Sequence, residues 1–171
     1  MPTNKAEGTS KEVYASDTLP VGTGGRVVDV TPVCDTSAYG AGDVLFPTTA
    51  ITGATRSSGG AVILDSVTLL DEDDQTAAII DLYFLRSNVA FGTANSAPSI
   101  TDANARERQG WVSLAATDFK DVVASKLACK TNIGLVLQPT TGTTLYVAAT
   151  CAGTPTQSAS GIKLRLGFRD L

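Results

Sequence analysis

The sequence contains no histidine, and this absence removes the usual route to catalysis near neutral pH. Histidine supplies the general base in Ser-His-Asp and Cys-His sites because its ordinary pKa lies closest to neutrality. Carboxylate pairs are the remaining route, and Asp29, Asp65 and Asp81 are the candidates within apolar runs. Each of them lies in a different predicted strand, where a lone aspartate usually faces solvent. We therefore expect that the protein is not an enzyme.

Cysteine is scarce, with three residues at wide spacing: Cys34, Cys129 and Cys151. A zinc site needs closely spaced pairs such as Cys-x-x-Cys, and the sequence has none. Each cysteine lies in or beside an apolar run, which is typical of a small buried hydrophobic side chain. We expect all three thiols to be buried and reduced, and we expect no metal and no cofactor.

Long apolar runs and basic blocks are both missing from the chain. A membrane-spanning helix needs about eighteen or more apolar residues in a row, so we expect no membrane association. The formal net charge is −4 and the lysines and arginines are scattered, so we expect no direct nucleic-acid binding. The N-terminal residues lack the apolar core of a signal peptide, and we expect the protein to be made and kept in a cytoplasm.

Residues 1–24 are polar and contain few large apolar side chains. Such a segment buries too little surface to offset its ordering entropy, so we predict an extended, flexible arm that becomes ordered only on a partner. Val13 and Tyr14 are its candidate anchors. Residues 25–171 are predicted to form one β-sandwich domain, since a chain of this length can bury a sizeable core.

Apolar and polar residues alternate from Ile162 to Phe168, which predicts a half-buried strand. A nearly continuous apolar run at 77–85 predicts a central strand that is covered on both faces. Further strands are predicted at 27–34, 43–46, 61–70, 111–115, 133–137 and 143–151. Short runs of this kind between turn residues predict an all-β fold of about eight strands, a β-sandwich or jelly roll.

Helical content is expected to be small. Residues 101–106 predict a single helical turn with Thr101 or Asp102 as its cap. Residues 117–125 are the other helix candidate.

Residues 36–45, TSAYGAGDVL, have the two closely spaced glycines of a phosphate-binding loop, Gly40 and Gly42. A dinucleotide-binding loop also requires a third glycine and a following helix. Here the next residues predict a strand that soon ends at Pro47, and the Lys-Ser/Thr pair of a P-loop is missing. The segment is therefore predicted to be a turn.

The most concentrated charge is the run Asp71, Glu72, Asp73 and Asp74. Clustered carboxylates can hold a hard cation such as calcium, but the spacing does not match an EF-hand loop and no glycine provides its sharp turn. We predict a solvated hairpin loop that also discourages pairing at the sheet edge.

Four aromatic residues, Tyr39, Tyr83, Trp111 and Tyr146, lie in predicted strands and turns. They could form a sugar-stacking platform, or they could pack in the core or at a subunit interface. Packing is the favoured interpretation. The candidate interface residues are Val13, Tyr14, Tyr39, Trp111 and Tyr146.

Turn and core residues follow a recognisable order from about Thr31 to the C-terminus. Tyr-x-x-Gly-Asp-x-Leu at 39–45 is followed by a Gly-Gly strand that runs into the acidic turn at 59–71. Asp-Leu-Tyr-Phe-Leu at 81–85 and Asn-Ser-Ala-Pro-Ser-Ile-Thr-Asp-Ala at 95–103 come next. Leu-Tyr-Val-Ala-Ala-Thr at 145–150 and a final Leu-Arg-Leu-Gly-Phe-Arg-Asp strand complete the order. In these features the chain resembles the small structural proteins of tailed bacteriophages that decorate or cement the head.

The resemblance implies a β-sandwich or jelly roll that binds the major capsid protein on the outside of an icosahedral phage head, commonly as a homotrimer at three-fold sites. It implies that the protein stabilises the shell against genome pressure, is assembled in the host cytoplasm and has no catalytic residues. It also implies that Asp43 serves the turn rather than a phosphate. Two rival interpretations remain: a carbohydrate- or receptor-binding β-sandwich that uses Trp111 and the tyrosines, and a calcium-dependent adhesion module that uses residues 71–74.

Overall fold

The computed structural model describes residues 24–75 and 78–171, and this part of the chain is all-β. Its nine strands are β1 (Gly25–Val30), β2 (Val44–Ile51), β3 (Val62–Asp71), β4 (Ile80–Leu85), β5 (Arg108–Leu114), β6 (Phe119–Asp121), β7 (Lys126–Leu137), β8 (Leu145–Cys151) and β9 (Ile162–Asp170). The expectation of an all-β fold is confirmed. The predicted arm, including Val13 and Tyr14, lies outside the described residues except for Gly24.

The strands pair in a nested order. The first pairs with the last, β1 with β9, and inside that pair lie β2 with β8, β3 with β7 and β4 with β5, all antiparallel. Successive pairs alternate between two sheets, of order β1-β9-β3-β7-β6 and β2-β8-β4-β5. Two packed sheets formed in this way by eight nested strands are a jelly roll, to which β6 adds a short edge strand.

The core lies between the two sheets and is built by alternation along the strands. In β9 the four residues Ile162, Leu164, Leu166 and Phe168 are all buried, as their spacing predicts. Val62, Leu64, Val67 and Leu69 of β3 face them from the neighbouring strand. A bulge between Leu64 and Ser66 shifts the alternation of β3 by one residue, so both halves of the strand still face the core.

β2 passes through Pro47, where the sequence predicted that the strand would end. Phe46 pairs with Ala149 and Thr49 with Val147, so two residues of β2 oppose one residue of β8. A bulge of this kind accommodates a proline because the missing N–H falls outside the ladder, and β2 is an edge strand.

The prediction of a helix at 117–125 is wrong. A 3-10 turn occupies Ala116–Asp118, and β6 follows it and pairs with the start of β7. Phe119 packs against the core at this point, which favours the extended form. The single helical turn predicted at 101–106 is confirmed: α1 spans Asp102–Ala105, and the Thr101 hydroxyl accepts a hydrogen bond from the Asn104 amide at 3.2 Å. No helix in residues 24–75 and 78–171 is long and apolar enough to cross a membrane.

Candidate interaction surfaces

Tyr39 lies in the core and not on an open surface, which corrects its assignment as an interface residue. It is 2% exposed, and its hydroxyl donates to the carbonyl of Leu45 at 2.8 Å and accepts from the Asp35 amide at 2.6 Å. Burial raises the pKa of its phenol well above the ordinary value. The side chain therefore fixes the turn that leads into β2.

That turn is closed by the side chain and main chain of Asp43. Asp43 Oδ2 accepts from the Gly40 amide at 2.8 Å, and the Asp43 amide donates to the Gly40 carbonyl at 3.1 Å. Gly42 has a φ of 92°, a conformation that glycine adopts without strain. The prediction of a turn for residues 36–45 is confirmed.

The acidic run is not the solvated hairpin loop that the sequence predicts. It connects β3 of one sheet to β4 of the other, and Asp71 is 5% exposed. The Asp71 carboxylate accepts hydrogen bonds from the amides of Asp73 and Gln75, while burial raises its pKa.

The other carboxylates of the acidic run also have partners. Asp73 accepts a hydrogen bond from the Ser158 amide. Asp74 forms an ion pair with Lys126, and Glu72 forms one with Lys163. These contacts fasten the loops at one end of the sandwich, and no group of three metal-ligating side chains occurs among the described residues.

The cysteines differ in their burial, which corrects one of the three predictions. Cys34 and Cys151 are buried as expected, whereas Cys129 lies exposed on the outer face of β7. Burial raises the pKa of Cys34 to about 12 and that of Cys151 to about 11. All three are free thiols.

The strand carboxylates do not form a catalytic pair. Asp29 and Asp65 lie on the five-stranded sheet, where each pairs with an arginine of β9: Asp29 with Arg165 at 2.8 Å and Asp65 with Arg169 at 3.1 Å. Asp81 lies on the four-stranded sheet. Because the residues beside it, Ile80 and Leu82, are buried, Asp81 points away from the core and from the other two carboxylates.

A second, smaller hydrophobic cluster covers the outer face of the four-stranded sheet. It consists of Val44, Leu85, Phe91 and Ala148, with Tyr83, Val89, Ile100 and Tyr146 packed against it. The long β4–β5 loop folds over this face, and the Phe91 ring lies 4.9 Å from that of Tyr83. The loop also pairs with the edge of β2, since Val44 exchanges main-chain hydrogen bonds with Asn95 and Ser96. The loop thus explains why β4 is covered on both faces and why Tyr146 is half-buried.

Trp111 lies at the rim of this cluster and is 66% exposed. It is the cross-strand partner of Tyr83 on the outer face of β5. Gly110 pairs with Phe84 but Arg108 pairs with Leu85, so Gln109 is an extra residue in β5. This bulge shifts the alternation of side chains along β5 by one residue. Arg108 and Trp111 therefore lie on the same face of the strand, where they line one depression of about 360 Å³.

A second depression, of about 280 Å³, adjoins the first. The two share Arg108 and Gln109 as lining residues, and we name the combined feature the arginine–tryptophan groove. Its other lining residues are Gly59, Tyr83, Arg86, Ala105, Arg106, Gly110, Trp111, Gln138, Pro139 and Thr140.

The charge of the groove is positive although the chain as a whole is acidic. Arg86 has one carboxylate nearby, Glu107 at 3.6 Å, which also accepts a hydrogen bond from Ser87 at 2.6 Å. Among the residues that the structure describes, no carboxylate lies within ion-pair distance of Arg106 or Arg108. Sequence reasoning missed these arginines. The available signal was the adjacency of Arg106, Arg108 and Trp111 in the string RERQGW.

Several other apolar side chains are exposed, and they are dispersed over the five-stranded sheet. Val27 and Val136 lie on its outer face, and Val122 and Val123 form the tip of the β6–β7 hairpin. Val123 is 93% exposed and has a φ of 74°. Positive φ is strained for a β-branched residue. Apolar side chains scattered singly in this way are common on protein surfaces.

Comparison with known proteins gave distant structural similarity alone. No protein-family model matches the sequence, and no curated protein sequence matches it. The VP2 subviral particle of infectious bursal disease virus is similar with a TM-score of 0.34 and 10% identity, over 86% of this chain and 37% of that chain. The Gx strain of the same virus gives a TM-score of 0.20 and 13% identity, over 85% of this chain and 38% of that one. The Gt strain gives 0.19 and 12%, over 86% and 42%. The chain thus spans well under half of each of these proteins, and the similarity is too distant to bear on its function.

Proposed function

We propose that the protein is a structural component of a virion, and that it attaches to the outer surface of a tailed-bacteriophage capsid and stabilises it. The observation that carries the proposal is the nested strand pairing of a jelly roll. Viral shell proteins use this architecture, as do lectins and cupins, so the fold supports a virion role without specifying it. The resemblance of the turn and core residues to head-decoration proteins selects the virion role among these.

The major capsid protein and further copies of the chain are the proposed partners, with a homotrimer as the proposed assembly. Its support is the set of exposed apolar side chains on the outer face of the five-stranded sheet, such as Val27 and Val136, which a closed symmetric contact would remove from water. Residues 1–24 are the proposed tether to the shell or to a neighbouring subunit, because an extended segment can add to an exposed sheet edge.

Co-sedimentation of the purified protein with undecorated phage heads tests attachment directly. We expect saturable binding at a fixed number of copies per head, and we expect the loaded heads to resist heat or chelator treatment better than bare ones. Heads that already carry their full set of decoration protein are the control and should bind no more. Absence of saturable binding to bare heads would overturn the proposal.

Light scattering tests the proposed trimer, and truncation tests the proposed role of residues 1–24 as a tether. Light scattering should give the mass of a trimer of the 17.6 kDa chain, free or once bound. Removal of residues 1–24 should weaken binding to heads while it leaves the melting temperature of the domain nearly unchanged. Undiminished binding by the truncated protein would remove the tether role while leaving attachment itself in place.

A further inference from the structure

We propose that the arginine–tryptophan groove binds an acidic saccharide, that is, a carbohydrate that carries a carboxylate such as a uronic or sialic acid. This inference does not rest on attachment to a shell, because the groove contains its own chemistry. Trp111 supplies an apolar surface, the arginines supply anion recognition, and the two adjoining depressions provide space for more than one sugar unit.

The apolar part of the groove is the exposed indole of Trp111. Its neighbour Tyr83 is held by the ring of Phe91, so the aromatic wall is anchored in the second hydrophobic cluster. A sugar ring presents C–H groups on one face and hydroxyls around its rim. An indole with an apolar body and a polar N–H matches that distribution.

The charged part is the pair Arg106 and Arg108. Arg108 Nε donates to the Ala105 carbonyl at 3.2 Å, which positions its side chain at the junction of the two depressions. A guanidinium binds a carboxylate through two parallel hydrogen bonds, and this geometry favours arginine where a planar anion is recognised. Glu107 is already engaged with Arg86 and Ser87, so it does not cancel this charge.

The floor of the groove is held in place by hydrogen bonds before any ligand binds. The Gln109 side chain donates to the Gln138 carbonyl at 2.9 Å and accepts from the Gln138 amide at 2.6 Å. Arg86 Nε donates to the Thr140 hydroxyl at 3.0 Å. Pre-formed polar groups of this kind lower the ordering cost of binding.

The same contacts close one route by which a peptide could bind. A peptide that adds to a sheet needs a free main-chain edge. The main-chain groups of Gln138 are already bonded by Gln109 and are not available. The groove strand β5 is an edge strand, so an acidic peptide is the alternative ligand that the test must include.

Trp111 makes the test simple because it is the single tryptophan of the chain. Its fluorescence, and the protection of that fluorescence from acrylamide quenching, report on the groove alone. The probes are oligosaccharides that contain glucuronic or sialic acid, each compared with its neutral counterpart of the same length. We expect a saturable change with the acidic probes that weakens as salt is added.

Substitution of the arginines separates the site from a general charge effect. The double variant R106Q/R108Q should bind the acidic probe roughly tenfold or more weakly, as for loss of hydrogen bonds to a charged group. W111A, followed by calorimetry, should weaken binding to a similar extent. R165Q/R169Q is the matched control, because it also removes two positive charges, from exposed arginines of the five-stranded sheet, and it should bind as the unmodified chain does.

Three results would overturn the inference. The first is equal binding of neutral and acidic probes, since the arginines would then have no role. The second is protection of Trp111 by polyglutamate but by no saccharide, which would make the groove a protein-recognition surface. The third is no change in Trp111 at millimolar concentrations of any probe.

Discussion

The hydroxyl of Tyr39 donates a hydrogen bond to the main-chain carbonyl of Leu45, and 2.8 Å separates the two oxygens. This contact bridges the glycine-containing turn and positions the first residues of β2. The same hydroxyl accepts from the Asp35 amide, so one buried group satisfies both a donor and an acceptor of the main chain. An aromatic residue that the sequence suggested for an interface thus holds the turn internally.

Tyr39→Phe should lower the free energy of unfolding by about 1–3 kcal/mol, because it leaves the buried Leu45 carbonyl and the part-buried Asp35 amide without their partner. Urea denaturation followed by circular dichroism measures the change. Tyr146→Phe is the matched control, since the Tyr146 hydroxyl makes no hydrogen bond to any residue that the structure describes, and it should change stability little. Equal effects of the two substitutions would contradict the role given to Tyr39.

Sequence reasoning identified those strands whose inward residues are large and regularly spaced. β9 and β8 were predicted for this reason, because burial of one face imposes a period of two. The first half of β7 was missed, and only 133–137 was predicted, because its inward residue Ala128 is small while Leu127 and Cys129 lie outside. β6 was missed because a strand of three residues has no detectable period.

The candidate groove was less accessible from the sequence than the fold. Arg108 and Trp111 are three positions apart and would lie on opposite faces of a regular strand. The bulge at Gln109 brings them together, and a bulge depends on pairing with β4, which the local sequence does not encode. The burial of Asp71 was missed for a similar reason, since a connection between sheets and a hairpin have the same composition.

Native thiol labelling should modify Cys129 rapidly and leave Cys34 and Cys151 unmodified. Thiolates are the reactive form, and burial raises the pKa of Cys34 to about 12 and of Cys151 to about 11, so both stay protonated at neutral pH. Mass spectrometry after alkylation should count one label per native chain and three after denaturation. In Cys129→Ser the rapid label should disappear. Rapid labelling of either buried cysteine, or a disulfide between any two, would contradict the assignment.

Asp118 should make stability depend on pH in the acidic range. Its carboxylate accepts from the Ala115 amide at 2.8 Å and from Lys130 at 3.3 Å, and these contacts lower its pKa below the ordinary 3.8. Because the folded-state pKa is the lower one, the ionised group stabilises the fold above about pH 4. That stabilisation is lost as the pH falls through the folded-state pKa.

Asp118→Asn should therefore lower the melting temperature at neutral pH, and the difference from the unmodified chain should shrink as the pH falls below 4. Melting curves across the acidic range measure it. Asp102→Asn is the control, because no described residue donates a hydrogen bond to the side-chain carboxylate of Asp102. A difference that stays constant with pH would count against ionisation as the cause.

Val123→Gly should stabilise the protein by about 0.5–1 kcal/mol. The left-handed conformation costs a non-glycine residue about 1–2 kcal/mol, and the added chain entropy of glycine offsets part of that gain. Almost no buried surface is lost, because Val123 is 93% exposed. Val122→Gly has no positive φ to relieve and should be neutral or destabilising. If Val123→Gly reduces stability in urea denaturation, Val123 is not strained in solution.

Phe91→Ala should detach the β4–β5 loop from the four-stranded sheet. Phe91 is buried in the smaller cluster, where its ring lies against Tyr83. Removal of such a ring should lower the free energy of unfolding by about 3 kcal/mol. This value is at the lower end for a buried phenylalanine because a loop can partly collapse into the space. The loop closes the edge of β2 through hydrogen bonds at Val44, so its release should expose that edge.

Amide hydrogen exchange distinguishes this local opening from general loss of stability. The Val44 amide donates to the Ser96 carbonyl at 2.9 Å, and its exchange should accelerate more than that of Leu166 in β9. Phe91→Leu, which keeps most of the buried volume, should restore most of the protection at Val44. Because Tyr83 contacts both Phe91 and the groove, opening the loop should also shift the fluorescence of Trp111. Uniform acceleration at Val44 and Leu166 would mean that the loop and the sandwich unfold as one unit, and the separate role given to the smaller cluster would be wrong.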